Sequence, residues 1–88
     1  MEAEDERIIE YRKQQKEELD YLMATPIGRR FAFKLMYGRC GLDKDTFSPD
    51  RYWSTYAQGK QSIAIELKRD LIDNNVQMFL RMEEENNG

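Results

Sequence analysis

Apolar residues recur along this chain at helical intervals, and no stretch alternates as a half-buried strand would. Ile8, Tyr11, Gln15, Leu19 and Leu22 share one stripe, interrupted by Gln15, while Lys13, Lys16, Glu17 and Glu18 lie largely elsewhere. The stripe predicts a charged first helix over residues 3–24, with Glu2, Glu4, Asp5 and Glu6 suited to the positive end of its dipole. It is narrow, so the first half of this helix is expected to stand partly clear of the core and to serve as a seam for another helix.

A basic second helix is predicted over 26–39 after a very short connection. Thr25 is placed to cap it, and Pro26 suits its first turn, where the missing N–H costs nothing. Ile27, Phe31 and Leu35 share one face, widened by Phe33 and Met36. Gly38 and Gly41 offer the left-handed backbone that ends a helix. Ser48-Pro49 repeats the cap-and-proline device and predicts a long third helix over 49–73. Tyr52, Tyr56, Gly59, Ile63, Leu67 and Leu71 follow near-fourfold spacing on it. That spacing makes Phe47, Tyr52, Trp53 and Tyr56 core aromatics rather than a base-stacking platform. Gly59 sits mid-helix, where glycine costs about 1 kcal/mol relative to alanine. A close approach is therefore expected there, by the second helix through Phe31 or Leu35 or by a partner chain. Asn74-Asn75 is read as a break, with Asn75 capping a short fourth helix over 75–85 that carries Val76, Phe79, Leu80 and Met82. Glu83–Gly88 is expected to fray as an acidic tail, its end at 86–88 outside the last helix. The pattern predicts an all-α fold, a single compact domain over 1–88 of about four helices with short connections.

Size and charge change this picture in two ways. A chain of 88 residues buries a small core, and its stability should lie near about 5 kcal/mol, so a partner or homo-oligomer would add to it by mass action. The net charge of −3 argues against a dedicated nucleic-acid binder, yet the second helix gathers Arg29, Arg30, Lys34 and Arg39 without an acid. These cations are read first as pairing with Glu17, Glu18 or Asp20 of the first helix, or with Glu66 or Asp70 of the third. The alternative is phosphate contact with DNA through Arg29, Arg30 and Lys34. Cys40 is the only cysteine, which fits a reducing compartment, and it is read as a packed structural residue. No apolar run reaches the length of a membrane span, and the acidic N-terminus lacks signal-peptide features.

Candidate chemistry is sparse. Asp43-Lys44-Asp45 opens like a calcium loop, but Ser48 and Ser54 stand where that loop needs glycine and a bidentate glutamate. A turn whose residues bond their own backbone is the better reading. Without histidine, and with one cysteine, the chain has no zinc set and no histidine base. The carboxylates are spread over helix surfaces. No enzyme, cofactor, metal or small-molecule substrate is expected.

One arrangement of motifs is more specific. TP-x-GRRF is followed by L-x(4)-CG, by an aromatic shortly before a glycine-cation pair, and by a closing M-x-x-E. The residues are Thr25, Pro26, Gly28, Arg29, Arg30, Phe31, Leu35, Cys40, Gly41, Tyr56, Gly59, Lys60, Ala64 and Met82. Their order resembles a family of small helical phage domains named after a short-tailed Bordetella bacteriophage. The match covers 19–85, with Lys60 where arginine is commoner and Ala64 where glycine is accepted. The resemblance implies a virion-associated protein, in the portal region, inside the capsid or in assembly, made in the bacterial host cytoplasm. Its partners would be phage structural proteins or further copies of itself. Ile8, Tyr11, Leu19, Arg29 and Arg30 are the candidate partner-binding residues. Thr25, Pro26, Gly28, Phe31, Leu35, Gly41 and Gly59 form a candidate packing motif. A DNA-contacting packaging or ejection protein, and a small inhibitor of a host protein, are the alternatives.

Overall fold

The computed structural model describes residues 2–87, with side-chain surroundings from Asp5 onward. The dipole role expected of Glu2 and Glu4, and the end of the tail at Gly88, lie outside these limits. Helix α1 spans Glu2–Met23, α2 spans Pro26–Phe33 and runs on as a π-helical segment over Lys34–Arg39, and α3 spans Arg51–Asn86. The described residues contain no strand, so the chain is all-α.

The break expected at Asn74-Asn75 is a kink within α3. Asn75 alone leaves helical geometry, at φ −163 and ψ 94, and its Oδ1 accepts from the Met78 N–H at 3.2 Å. The side chain caps the restarted turn as the sequence suggests, but the helical path continues, so the described residues form three helices where about four were expected. The acidic end is helical through Asn86 rather than frayed, because it packs on α2, as described below.

Local chemistry accounts for the helix ends. Thr25 caps α2, its Oγ1 accepting from the Gly28 N–H at 3.1 Å, and Pro26 occupies the first turn. The start of α3 is set by Asp50, not Ser48: the Asp50 carboxylate accepts from the Tyr52 and Trp53 N–H groups at 3.0 and 3.2 Å. Ser48 instead accepts from the Asp50 N–H, and Pro49 lies in the turn before the helix. With Ser48 engaged in the turn, Asp50 supplies the cap and the start moves two residues downstream. Gly41 has a φ of 63 and reverses the chain, so that the Leu42 N–H reaches the Met36 carbonyl at 3.0 Å. Gly38 has no such φ and lies inside the π segment.

The π turn decides what the second helix shows to solvent. The Cys40 N–H donates to the Leu35 carbonyl, five residues back, at 2.9 Å. In a regular α-helix Arg39 would fall seven residues after Ala32, on the buried side. The wider turn keeps Ala32 and Met36 inward and turns Arg39 out.

Met23, Ala32, Met36, Ala64, Leu71, Phe79 and Met82 form the core, flanked by Leu19, Leu22, Phe33, Leu67 and Ile72. Small residues and flexible methionines let the helices approach closely. Two expected core faces enter it only in part, through Phe33 and Met36 of α2 and Leu67 and Leu71 of α3. Ile27 and Phe31 are exposed, and so are Phe47, Tyr52, Trp53 and Tyr56, with Tyr52 87% exposed. The α2 face is rotated away because Gly28 and Arg29 must meet the end of α1. On α3 the buried positions Ala57, Ala64 and Leu71 recur every seven residues, and Tyr52, Tyr56 and Ile63 fall to the side of that line. The expected stripe is therefore outward at Tyr52 and meets the core only at Leu67 and Leu71.

Gly59 faces open space, with nothing within 4 Å of a built Cβ, so no contact with α2 exists there. Gly59→Ala should then gain the helix propensity that glycine forfeits, about 1 kcal/mol. Thermal unfolding of the isolated chain should shift up by about 4–8 °C. An unchanged or lower midpoint would contradict the open environment.

The domain is a thin plate rather than a compact body. Its principal extents are 50 × 37 × 16 Å and its radius of gyration is 15.6 Å. A compact chain of this length would have a radius near about 12 Å.

Candidate interaction surfaces

The buried polar chemistry of this chain is spent on holding its helices together. Arg29 is 1% exposed. Its Nε and Nη2 donate to the two Glu85 carboxylate oxygens at 2.6 and 2.9 Å, and its Nη1 donates to the Met23 carbonyl at 2.9 Å. One guanidinium thus joins the last turns of α1 and α3 to the first turn of α2. It also brings a cation to the negative end of α1, whose own last turn has none. The Glu85 hydrogen bonds raise the Arg29 pKa and lower that of Glu85. The partner expected for Arg29 on α1 or mid-α3 is replaced by Glu85, from the segment expected to fray.

Two more clamps were not legible as such. The Tyr37 hydroxyl donates to Glu83, and burial, reinforced by that bond, pushes its pKa up to about 12. The Gln61 amide donates toward the carbonyls of Gly41, Leu42 and Lys44, at 3.2, 3.1 and 2.9 Å, and so pins the loop that follows the π segment. Nothing in the sequence marks Gln61 beyond its being an amide on a helix near an irregular loop. Asp45 accepts from the Phe47 N–H at 2.9 Å, an ordinary self-bonded turn. Among the described residues no three His, Cys, Asp or Glu side chains converge as a metal set, and no helix is long and apolar enough to cross a membrane.

What remains outward is apolar and charged. On α1, Leu19 and Leu22 pack against the core, while Ile8 and Tyr11, farther up the same stripe, are exposed together with Ile9. On α2 and the π segment, Ile27, Arg30, Phe31, Lys34 and Arg39 are exposed in one strip. Phe31, Lys34, Leu35, Gly38 and Arg39 line a groove of about 330 Å³ there. Among the described residues Arg30, Lys34 and Arg39 form no ion pair. On the first half of α3, Tyr52, Tyr56 and Ile63 form an exposed stripe around Gly59, with Lys60 Nζ 4.7 Å from the Tyr56 ring centre. A polar cleft of about 480 Å³ between α1 and α3 is lined by Arg12, Gln15, Lys16, Leu19, Asp70, Asp73 and Asn74.

The candidate residues thus separate into two groups. Ile8, Tyr11 and Arg30 are accessible; Leu19 and Arg29 are used within the chain. Of the packing motif, Thr25, Pro26, Gly28 and Gly41 shape the second helix and its ends, Leu35 is half-buried, and Phe31 and Gly59 face solvent. Comparison of the chain with protein-family models, curated proteins and solved structures finds no match in any of the three.

Proposed function

We propose that this protein is a non-enzymatic structural or assembly protein of a phage virion, acting through helix-mediated protein–protein contacts. The observation that carries the assembly part is the apolar stripe of α1, which runs from the core at Leu22 and Leu19 out to exposed Tyr11 and Ile8. A thin plate with such a helix covers this surface only by docking on another protein. The phage part rests on the ordered motif from Thr25 to Met82. Portal-region, internal-virion and assembly roles all suit it.

Quantitative mass spectrometry of purified virions and of assembly intermediates tests this directly. The protein should be present in several copies per particle. Ile8→Glu with Tyr11→Glu should prevent its incorporation while the isolated chain keeps its helical circular dichroism. Absence from both particles and intermediates sinks the proposal, as does unfolding of the isolated double variant.

A second reading, DNA contact during packaging or ejection, is favoured by the trio Arg30, Lys34 and Arg39 on one face, which forms no ion pair among the described residues. It requires DNA affinity that falls steeply with salt and disappears when the trio is reversed.

A further inference from the structure

We infer that copies of this chain associate head to tail, the first half of α1 in one copy lying along the α2 and π-segment face of the next. The inference rests on the assembly reading above and names its partner surface. The first half of α1 is acidic: residues 2–11 contain Glu2, Glu4, Asp5, Glu6 and Glu10 against the single cation Arg7. Asp5, Glu6 and Glu10 are exposed there beside exposed Ile8, Ile9 and Tyr11. The receiving strip is the converse. Arg30, Lys34 and Arg39 are exposed beside Ile27 and Phe31 and form no ion pair among the described residues, and no acid occurs between Pro26 and Leu42.

Shape agrees with charge. Gly38 has nothing within 4 Å of a built Cβ, so the groove between Phe31, Leu35 and Arg39 is open to an incoming side chain. The π turn, by directing Arg39 outward, completes the cationic edge of that groove. An apolar pair such as Ile8 and Tyr11 would enter it, with Asp5 and Glu6 beside the cations.

Within one copy the two surfaces do not cover each other: Ile8, Ile9 and Tyr11 on one and Ile27 and Phe31 on the other are all exposed. Helix α1 is continuous from Glu2 to Met23 and joins α2 through a two-residue turn. The contact is therefore between copies. It joins two different surfaces, so it is satisfied by a reciprocal two-fold dimer, a closed ring or a filament.

Charge exchange tests this on the full chain. One variant carries Asp5→Lys, Glu6→Lys and Glu10→Lys; the other carries Arg30→Glu, Lys34→Glu and Arg39→Glu. Circular dichroism confirms that both fold, as expected for exposed side chains outside the clamps. In analytical ultracentrifugation at hundred-micromolar concentration and low salt, wild type should form oligomers that dissociate as salt rises. Each variant alone has two like-charged surfaces and should sediment as a monomer. An equimolar mixture should assemble again, because each surface then meets its opposite.

A wild type that stays monomeric overturns the inference, as does an oligomer that both variants retain or a mixture that remains monomeric. Salt-sensitive binding of a short DNA duplex by a monomeric wild type, lost in the Arg30, Lys34 and Arg39 variant, overturns it in favour of the nucleic-acid reading. Detection in virions of a chain that is monomeric in solution and in the mixture would overturn the head-to-tail contact and leave the virion proposal standing. Charge-exchanged assembly of a chain absent from virions would do the reverse.

Discussion

Gly28→Ala is expected to lower the thermal midpoint of the isolated chain by about 10–20 °C. A Cβ built on Gly28 would lie 1.8 Å from the Leu22 carbonyl oxygen and 2.9 Å from its carbon. Both atoms are backbone, so no rotamer change relieves the clash. The end of α1 and the start of α2 must separate. Overpacking of this kind costs about 3 kcal/mol, more than half of the roughly 5 kcal/mol expected for a domain of this size. The φ of Gly28 is not positive, so the penalty is steric and not conformational. Gly38→Ala is the control within the same helical run, because its Cβ would meet nothing within 4 Å. It should leave the midpoint unchanged or raise it. Equal midpoints for the two alanine variants would show that the α1–α2 turn is looser than described.

That glycine illustrates what the sequence conveyed. Helices with caps and turn residues were legible because each depends on neighbours: Thr25, Pro26 and Gly41 act within one turn of their own positions. The inward face of α2 was legible only at Phe33 and Met36. Apolar periodicity chose Ile27 and Phe31, whereas Gly28 against Leu22 and Arg29 against Glu85 rotate Ala32 and Met36 inward. Those determinants are tertiary, and one of them spans 56 residues of sequence. The same holds for Glu85, a tail acid by composition and a clamp by position. The candidate surface was partly legible. Ile8 and Tyr11 were singled out because their stripe was too narrow for a core, and both are exposed. The aromatics of α3 were misplaced because the buried line runs through the small residues Ala57 and Ala64, and apolar size alone points to the aromatics beside it.

Arg29→Met is expected to destabilise the domain by about 2–3 kcal/mol, although it exchanges a charge for an apolar side chain at a buried site. The substitution leaves the Met23 carbonyl without its donor and removes both hydrogen bonds to Glu85. The Glu85 side chain is about one-third exposed and recovers water, which keeps the cost below that of an ion stranded in a dry core. Arg29→Lys keeps the charge but not the planar fork, and should lie between wild type and Met. The pH dependence separates the ion pair from simple packing. Arg29 holds the Glu85 carboxyl below its ordinary value, so the pair stabilises the fold in full above that ordinary value. The contribution is lost as pH falls through the lowered folded value. Wild type should therefore lose more stability than Arg29→Met on acidification through that range, and the gap should narrow toward what the Met23 carbonyl bond alone supports once Glu85 is protonated. A gap between them that stays constant into acid would assign the whole effect to packing. Arg29 and Gly28 are adjacent and close the same corner, so their effects should not add. Opening the turn with Gly28→Ala already draws Arg29 away from Met23, and a double variant should cost less than the sum of the two.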